Sequence, residues 1–179
     1  HEGYGTTETA PVAAANVPDH LNTRHRTIQP GHRPGTVGRP VPGTACRIVD
    51  PETNHRCDVG EDGLVLIAGP QMMTGYLGDP ERTAEAITEL DGHRWYRTGD
   101  RGRMDADGFI TIVDRYARFA KIGGEMISLT RVEDAIREAV GDHESPLVAV
   151  NLPDPKKGER IVVLVVEASE PGTLEQRLY

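Results

Sequence analysis

A chain of 179 residues with 4% aromatic side chains can hold one ordinary domain or two small ones, and part of its burial is expected to come from a partner segment. The formal net charge of −8 excludes a broad nucleic-acid surface, which needs clustered Lys and Arg to release phosphate counterions. No apolar run reaches the roughly 20 residues of a spanning helix, and Cys46 and Cys57, in a chain without a signal peptide, suit a reducing cytoplasm better than a disulfide framework.

In chain order, residues 9–34 are polar, carry Pro and His, and lack an apolar period, so a long surface connection is expected there. The runs Cys46-Arg47-Ile48-Val49 and Leu64-Val65-Leu66-Ile67, bounded by Gly, Pro or Asp, read as short antiparallel strands of a barrel-like sheet. Asp79 before Pro80 predicts the N-cap of a brief helix whose modest apolar face is Ala84, Ile87 and Leu90. Asp105-Ala106-Asp107-Gly108 between alternating residues predicts a hairpin. A calcium loop competes for the same residues and fails on register, because Arg103 would stand where the first carboxylate is needed.

Character changes after Val113, which places a domain boundary between residues 114 and 115. Thr130-Arg131-Val132-Glu133 reads as a capping box, followed by Val132, Ala135, Ile136, Ala139 and Val140 at helical spacing up to a stop at Gly141. Residues 147–150 and 161–166 read as strands, joined by the Lys156-Lys157 turn, which lacks the upstream glycine of a phosphate loop. The fold class expected is α+β: a small, distorted antiparallel barrel-like subdomain over residues 1–114, then the start of a small α+β domain over 115–179.

Two strings about ninety residues apart carry the chemistry. In Tyr4-Gly5-Thr6-Thr7-Glu8, a glycine beside an aromatic ring lets backbone approach a flat ligand, Thr7 can donate to an α-phosphate, and Glu8 offers the hard oxygen that Mg²⁺ prefers. In Tyr96-Arg97-Thr98-Gly99-Asp100, a carboxylate after a tight Thr-Gly turn has two oxygens for the paired hydroxyls of a ribose. Either string alone is equally a turn; together they suggest an ATP-using site. Histidines 20, 25, 32 and 55 share no short ligand spacing with the cysteines, and no Gly-x-Ser-x-Gly elbow is present.

A third segment follows in register, Asp114-Arg115-Tyr116-Ala117-Arg118-Phe119-Ala120-Lys121-Ile122-Gly123-Gly124-Glu125-Met126. With it the chain resembles the adenylate-forming superfamily: acyl-CoA synthetases, peptide-synthetase adenylation domains and luciferases. Gly35-Thr36-Val37-Gly38-Arg39-Pro40 and Gly69-Pro70-Gln71-Met72-Met73-Thr74-Gly75-Tyr76-Leu77 extend the resemblance over nearly the whole length. Arg118 to Met126 with Ser128-Leu129 looks most like the acyl-carrier-protein synthetase part of bifunctional acylglycerophosphoethanolamine acyltransferases.

The resemblance implies an internal fragment of a ligase, holding the end of a large nucleotide domain and the beginning of a small one. It implies Tyr4, Gly5, Thr6, Asp100 and Arg115 on the nucleotide, Thr7 and Glu8 at the phosphate and Mg²⁺, and Lys121, Gly123 and Gly124 near the pantetheine of CoA or an acyl carrier protein. A fatty acid is the implied substrate, and a cytoplasmic protein, at the inner face of a membrane where one is involved, the implied setting. The family's glycine-rich phosphate loop and adenylation lysine fall outside these residues, so the chain alone is expected to bind AMP or ATP weakly without turnover. Asp114 replaces the family's Gly before Arg115, Ala117 stands at its hinge position, and Glu133 reads as structural. A rival reading is a docking module whose basic turn, Arg115 to Lys121, receives an acidic carrier protein.

Overall fold

Short β-branched runs punctuated by Gly, Pro and Asp put most of the regular secondary structure into strands in the computed structural model, which describes residues 2–22, 24, 26–141 and 146–165. The strands are β1 (Gly3–Tyr4), β2 (Ala14–Ala15), β3 (His20–Asn22), β4 (Thr27–Gln29), β5 (Arg39–Pro40), β6 (Ala45–Val49) and β7 (Gly63–Ala68). Helix α1 (Pro80–Ala86) follows, then β8 (Ile87–Leu90), β9 (His93–Met104), β10 (Ile110–Arg115), β11 (Phe119–Ile122) and β12 (Glu125–Ser128). Helix α2 (Leu129–Val140), β13 (Leu147–Asp154) and β14 (Gly158–Val165) complete the described elements. All pairings are antiparallel, and the class is α+β. Among the described residues no helix is long and apolar enough to cross a membrane.

The chain divides into two units, His1–Tyr116 and Ala117–Tyr179, two residues beyond the division expected from sequence. Tyr116 packs against the first unit's cluster of Val49, Leu64, Leu66, Ala68 and Trp95, which keeps it and Arg115 with that unit.

In the first unit the main sheet runs β10-β9-β7-β6, with β8 also on β9. Strand β7 is buried along all six residues. Its period of two sends Leu64, Leu66 and Ala68 into one cluster, and Val65 and Ile67 into another with Ala13 and Ile48. Between Leu64 and Leu66 of β7, strand β9 advances from Arg101 to Arg97, so β9 carries a bulge at Thr98-Gly99-Asp100. Gly99 at φ 75° supplies the left-handed residue this needs, and the Thr98 hydroxyl donates to the Val65 carbonyl at 2.8 Å.

Two local expectations change in this unit. Residues 9–16 are partly core: Thr9, Ala13 and Ala14 are at most 2% exposed, and Asn16 donates to the Thr36 carbonyl and accepts from the Arg33 amide. Small alanines and a satisfied amide bury without producing an apolar period. The helix after Asp79 ends at Ala86, and Ile87 and Leu90 belong to β8, which pairs with β9 through an Asp91-Gly92 turn at φ 53° and 73°. That is the Asp-Gly hairpin signature again, with β-branched Ile87-Thr88 feeding it. The Asp105–Gly108 hairpin forms as expected; Arg33 binds both Asp105 and Asp107 and lies 4.4 Å from the Phe109 ring centre, while Arg39 lies 4.3 Å from it.

In the second unit the sheet order is β12-β11-β14-β13, and α2 packs on Ala120 and Ala149 through Leu129. Ser128, not Thr130, caps the helix, accepting from the Arg131 amide. Glu133 is therefore not a capping residue. It is 7% exposed, takes 2.6 Å and 2.8 Å hydrogen bonds from Arg118 Nη2 and the Ala149 amide, and ties α2 to β13. Gly141 at φ 70° ends the helix as expected. Asp154 accepts from the Lys156 and Lys157 amides, making the lysine pair an exposed turn. The expected strand residue Val166 lies outside the described residues.

Replacing Glu133 by Ala should lower the stability of this unit by about 2 kcal/mol, because it leaves the buried Ala149 amide without its acceptor and removes the partner of the half-exposed Arg118. Ser128→Ala should cost about 1 kcal/mol and Thr130→Ala less; urea midpoints at unchanged slope would read all three. Asp50, Asp107 and Asp154 have pKa values held down by the Thr53 amide, Arg33 and the Lys156 amide respectively. Folded values below the unfolded one mean stabilisation that is complete above about pH 4 and lost as pH falls through the folded values. The urea midpoint should accordingly drop between pH 6 and pH 3.

Candidate functional site

The turn after β1 is fixed by a threonine rather than by a ligand. Thr9, with no exposed surface, donates from its hydroxyl to the Thr6 carbonyl and accepts from the Thr6 amide, both at 3.0 Å. This closes a single 3₁₀ turn over Thr7–Thr9 in which Thr7 is exposed and Glu8 half-buried. A Cβ on Gly5 would lie 1.6 Å from the Pro11 carbonyl oxygen, so the close approach served by this glycine is to the chain itself.

Glu8 Oε1 accepts the Tyr76 hydroxyl at 2.8 Å, and the Glu8 carbonyl accepts the Met73 amide at 2.8 Å. Burial pushes the carboxyl pKa up, but hydrogen bonds from Tyr76, its own backbone, Thr6 and Tyr96 outweigh this and hold it low. Burial, then the Glu8 charge, pushes Tyr96 up to about 12, and the bond to Glu8 raises Tyr76. At neutral pH the site thus holds a carboxylate among protonated phenols.

Asp100, 4% exposed, sits at the β9 bulge with its amide on the Thr98 hydroxyl. Its Oδ2 accepts the Tyr4 hydroxyl at 2.5 Å, and its Oδ1 accepts Arg115 Nε at 2.7 Å. Tyr4 leans on the Ala13, Ile48, Val65 and Ile67 cluster; its burial, then its bond to Asp100, drives its pKa upward. The bond to Asp100 likewise raises Arg115, whose side chain remains 62% exposed.

The structure thus joins Tyr4, Asp100 and Arg115 directly, while Thr6 and Glu8 form a second group with Tyr76 and Tyr96. Lys121, Gly123 and Gly124 belong to the second unit. Lys121 is exposed on β11, and the glycines form the two-residue β11–β12 turn at φ 61° and 94°, where a Cβ would meet no neighbour. Backbone conformation, not crowding, requires them. Arg115 and Arg118 of the basic turn are engaged by Asp100 and Glu133. Sequence reasoning gave Tyr76 and Tyr96 no role, although both lie inside the quoted motifs.

Among the described residues no group of three His, Cys, Asp or Glu could hold a metal ion. One ionised carboxylate, Glu8, suits Mg²⁺, which is commonly held by one or two protein carboxylates plus phosphates and water. Asp100 retains lone pairs beyond its two bonds, chemically suited to sugar hydroxyls.

Residues 1–77 match the family of AMP-binding enzymes. The chain is 36% identical over 177 residues to a long-chain-fatty-acid–CoA ligase of Salmonella typhimurium, covering 99% of this chain and 28% of that one. It is 34% identical to the mitochondrial medium-chain acyl-CoA ligase ACSF2 of Rattus norvegicus, covering 98% and 26%. The ATP-bound crystal structure of MatB from Rhodopseudomonas palustris superposes with a TM-score of 0.66 at 26% identity, covering 97% of this chain and 31% of that one. The chain belongs to the adenylate-forming superfamily. It spans little more than a quarter of the length of these curated relatives.

If Tyr4 holds Asp100 through its hydroxyl, Tyr4→Phe should leave the far-ultraviolet dichroism unchanged and lower the melting temperature by a few degrees, the effect of losing about 1–3 kcal/mol of charge-assisted hydrogen bonding.

Proposed function

We propose that this chain is part of an ATP-dependent acid–thiol ligase that activates a carboxylic acid as its acyl-adenylate and passes the acyl group to a thiol. In the first step a carboxylate oxygen attacks the ATP α-phosphorus and pyrophosphate leaves. In the second a thiolate attacks the acyl carbonyl and AMP leaves with the electron pair of the broken C–O bond. The observation that carries this reading is the convergence of Tyr4 and Arg115 on the buried Asp100 carboxylate, Tyr4 from 96 residues away along the chain.

Asp100 accepts the ribose hydroxyls, already oriented by Tyr4 and Arg115, so little side-chain freedom is lost on binding. Thr7, exposed at the tip of its turn, donates to the α-phosphate, and Arg115 adds charge on the same side. Glu8 is the ligand for Mg²⁺, whose chemistry is to offset charge as two anions approach. Lys121 and the Gly123-Gly124 turn serve the pantetheine arm. The acid we take to be a long-chain fatty acid and the acceptor CoA or the phosphopantetheine of an acyl carrier protein, in a cytoplasmic protein. The similarity to fatty-acid and medium-chain CoA ligases supports the acid–CoA part of this reading.

Calorimetry with AMP should show weak binding by the chain that falls about 10- to 100-fold in Asp100→Asn, the loss of a charge-assisted pair of hydrogen bonds. Absence of nucleotide heat, with salt-sensitive binding of acyl carrier protein instead, would favour the docking module.

A further inference from the structure

We propose that Tyr76, with Arg82 stacked on its ring, is a positioning residue for Glu8, fixing one carboxylate oxygen so that the other meets the metal of a Mg²⁺-nucleotide. This rests on Glu8 being the metal ligand of the proposed ligase.

A glutamate on a surface turn has three side-chain torsions, the last of them broad, so its oxygens are undirected unless something else holds them. Here residues 69–77 fasten to residue 8 twice, through the Met73 amide on the Glu8 carbonyl and the Tyr76 hydroxyl on Oε1. Tyr76 is itself set by α1. Its amide donates to Thr83 Oγ1 at 2.9 Å, and the same hydroxyl donates to the Asp79 carbonyl at 2.8 Å. A Cβ on Gly75 would come within 2.8 Å of Thr83 Cγ2, so glycine there admits the threonine that grips the following residue.

Asp79 Oδ1 caps the helix on the Arg82 amide at 2.9 Å, and Arg82 lies 4.0 Å from the centre of the Tyr76 ring. A cation over that ring draws electron density from the phenol oxygen and makes its O–H a stronger donor. Thr6 and Tyr96 approach the same carboxylate from other elements. What α1 adds is direction: an Asp79-capped turn determines where a metal-binding oxygen points.

The test uses the 179-residue chain and compares ATP affinity in Mg²⁺ with that in EDTA, beside AMP affinity in EDTA and the melting temperature. Glu8→Gln should abolish the Mg²⁺ advantage. Tyr76→Phe should reduce it about tenfold while AMP affinity and melting temperature hold, a split that loss of structure would not give. Arg82→Gln should reduce it about threefold and Arg82→Lys restore it. The inference is overturned if Glu8→Gln removes the advantage but Tyr76→Phe keeps it, or if Tyr76→Phe lowers AMP binding and melting temperature in parallel. Should Tyr76→Phe fail to fold, the Arg82 pair decides, equal Gln and Lys variants counting against the proposal. No Mg²⁺ advantage in the parent chain, or one that survives Glu8→Gln, would instead remove the metal role of Glu8 and the inference with it.

Discussion

A carboxylate that is 4% exposed must be compensated where it stands, and the Asp100 contacts with Tyr4 and Arg115 do this. Much of the first unit is arranged around that requirement. Strand β9 interrupts its pairing to deliver Asp100, the Thr98 hydroxyl covers the carbonyl that the bulge would otherwise strand, and β10 extends to Arg115 to return a positive charge. Strand β1 contributes the other partner, Tyr4, from the far end of the sequence. An acid whose neighbours are already in place keeps its remaining lone pairs in a defined direction.

Glu8 is treated differently. It is half-buried and surrounded by phenols rather than by cations, so its negative charge is preserved and not cancelled. The two carboxylates therefore divide by environment: one neutralised in part by a guanidinium, the other kept available to a hard cation. Tyr96, on the same strand as Asp100, belongs to the phenols around Glu8.

The legible part of the sequence was the part written in turns and alternation. The β6 and β7 runs, the Asp79 cap, the Asp105 hairpin and the Gly141 stop all carry signals that act within a few residues. Where long-range satisfaction decides, sequence reading went astray. Glu133 stands three residues after a threonine and looks like half of a capping box, yet its partners are Arg118 and an amide of β13. Residues 9–16 looked like a polar connection because Thr9 and Asn16 hide their polarity in hydrogen bonds to the chain. At the site, the motif residues Tyr4, Glu8 and Asp100 could be named, but not that tyrosines would be what holds the acids. A phenol donor has no spacing rule relative to a carboxylate contributed by another strand.

The scarcity of rings noted in the composition has a counterpart in how the rings are used. Phe109 has Arg33 and Arg39 stacked on it, Trp95 has Arg47, and Tyr76 has Arg82, so flat cations stand in for the missing aromatic neighbours. A guanidinium keeps its proton at any pH a protein survives. These stacks are therefore indifferent to alkali, whereas Asp107, which anchors Arg33 from the side and is held low by it, is not indifferent to acid. Tolerance of the fold should be lopsided, broad toward the basic side and narrow toward the acidic one.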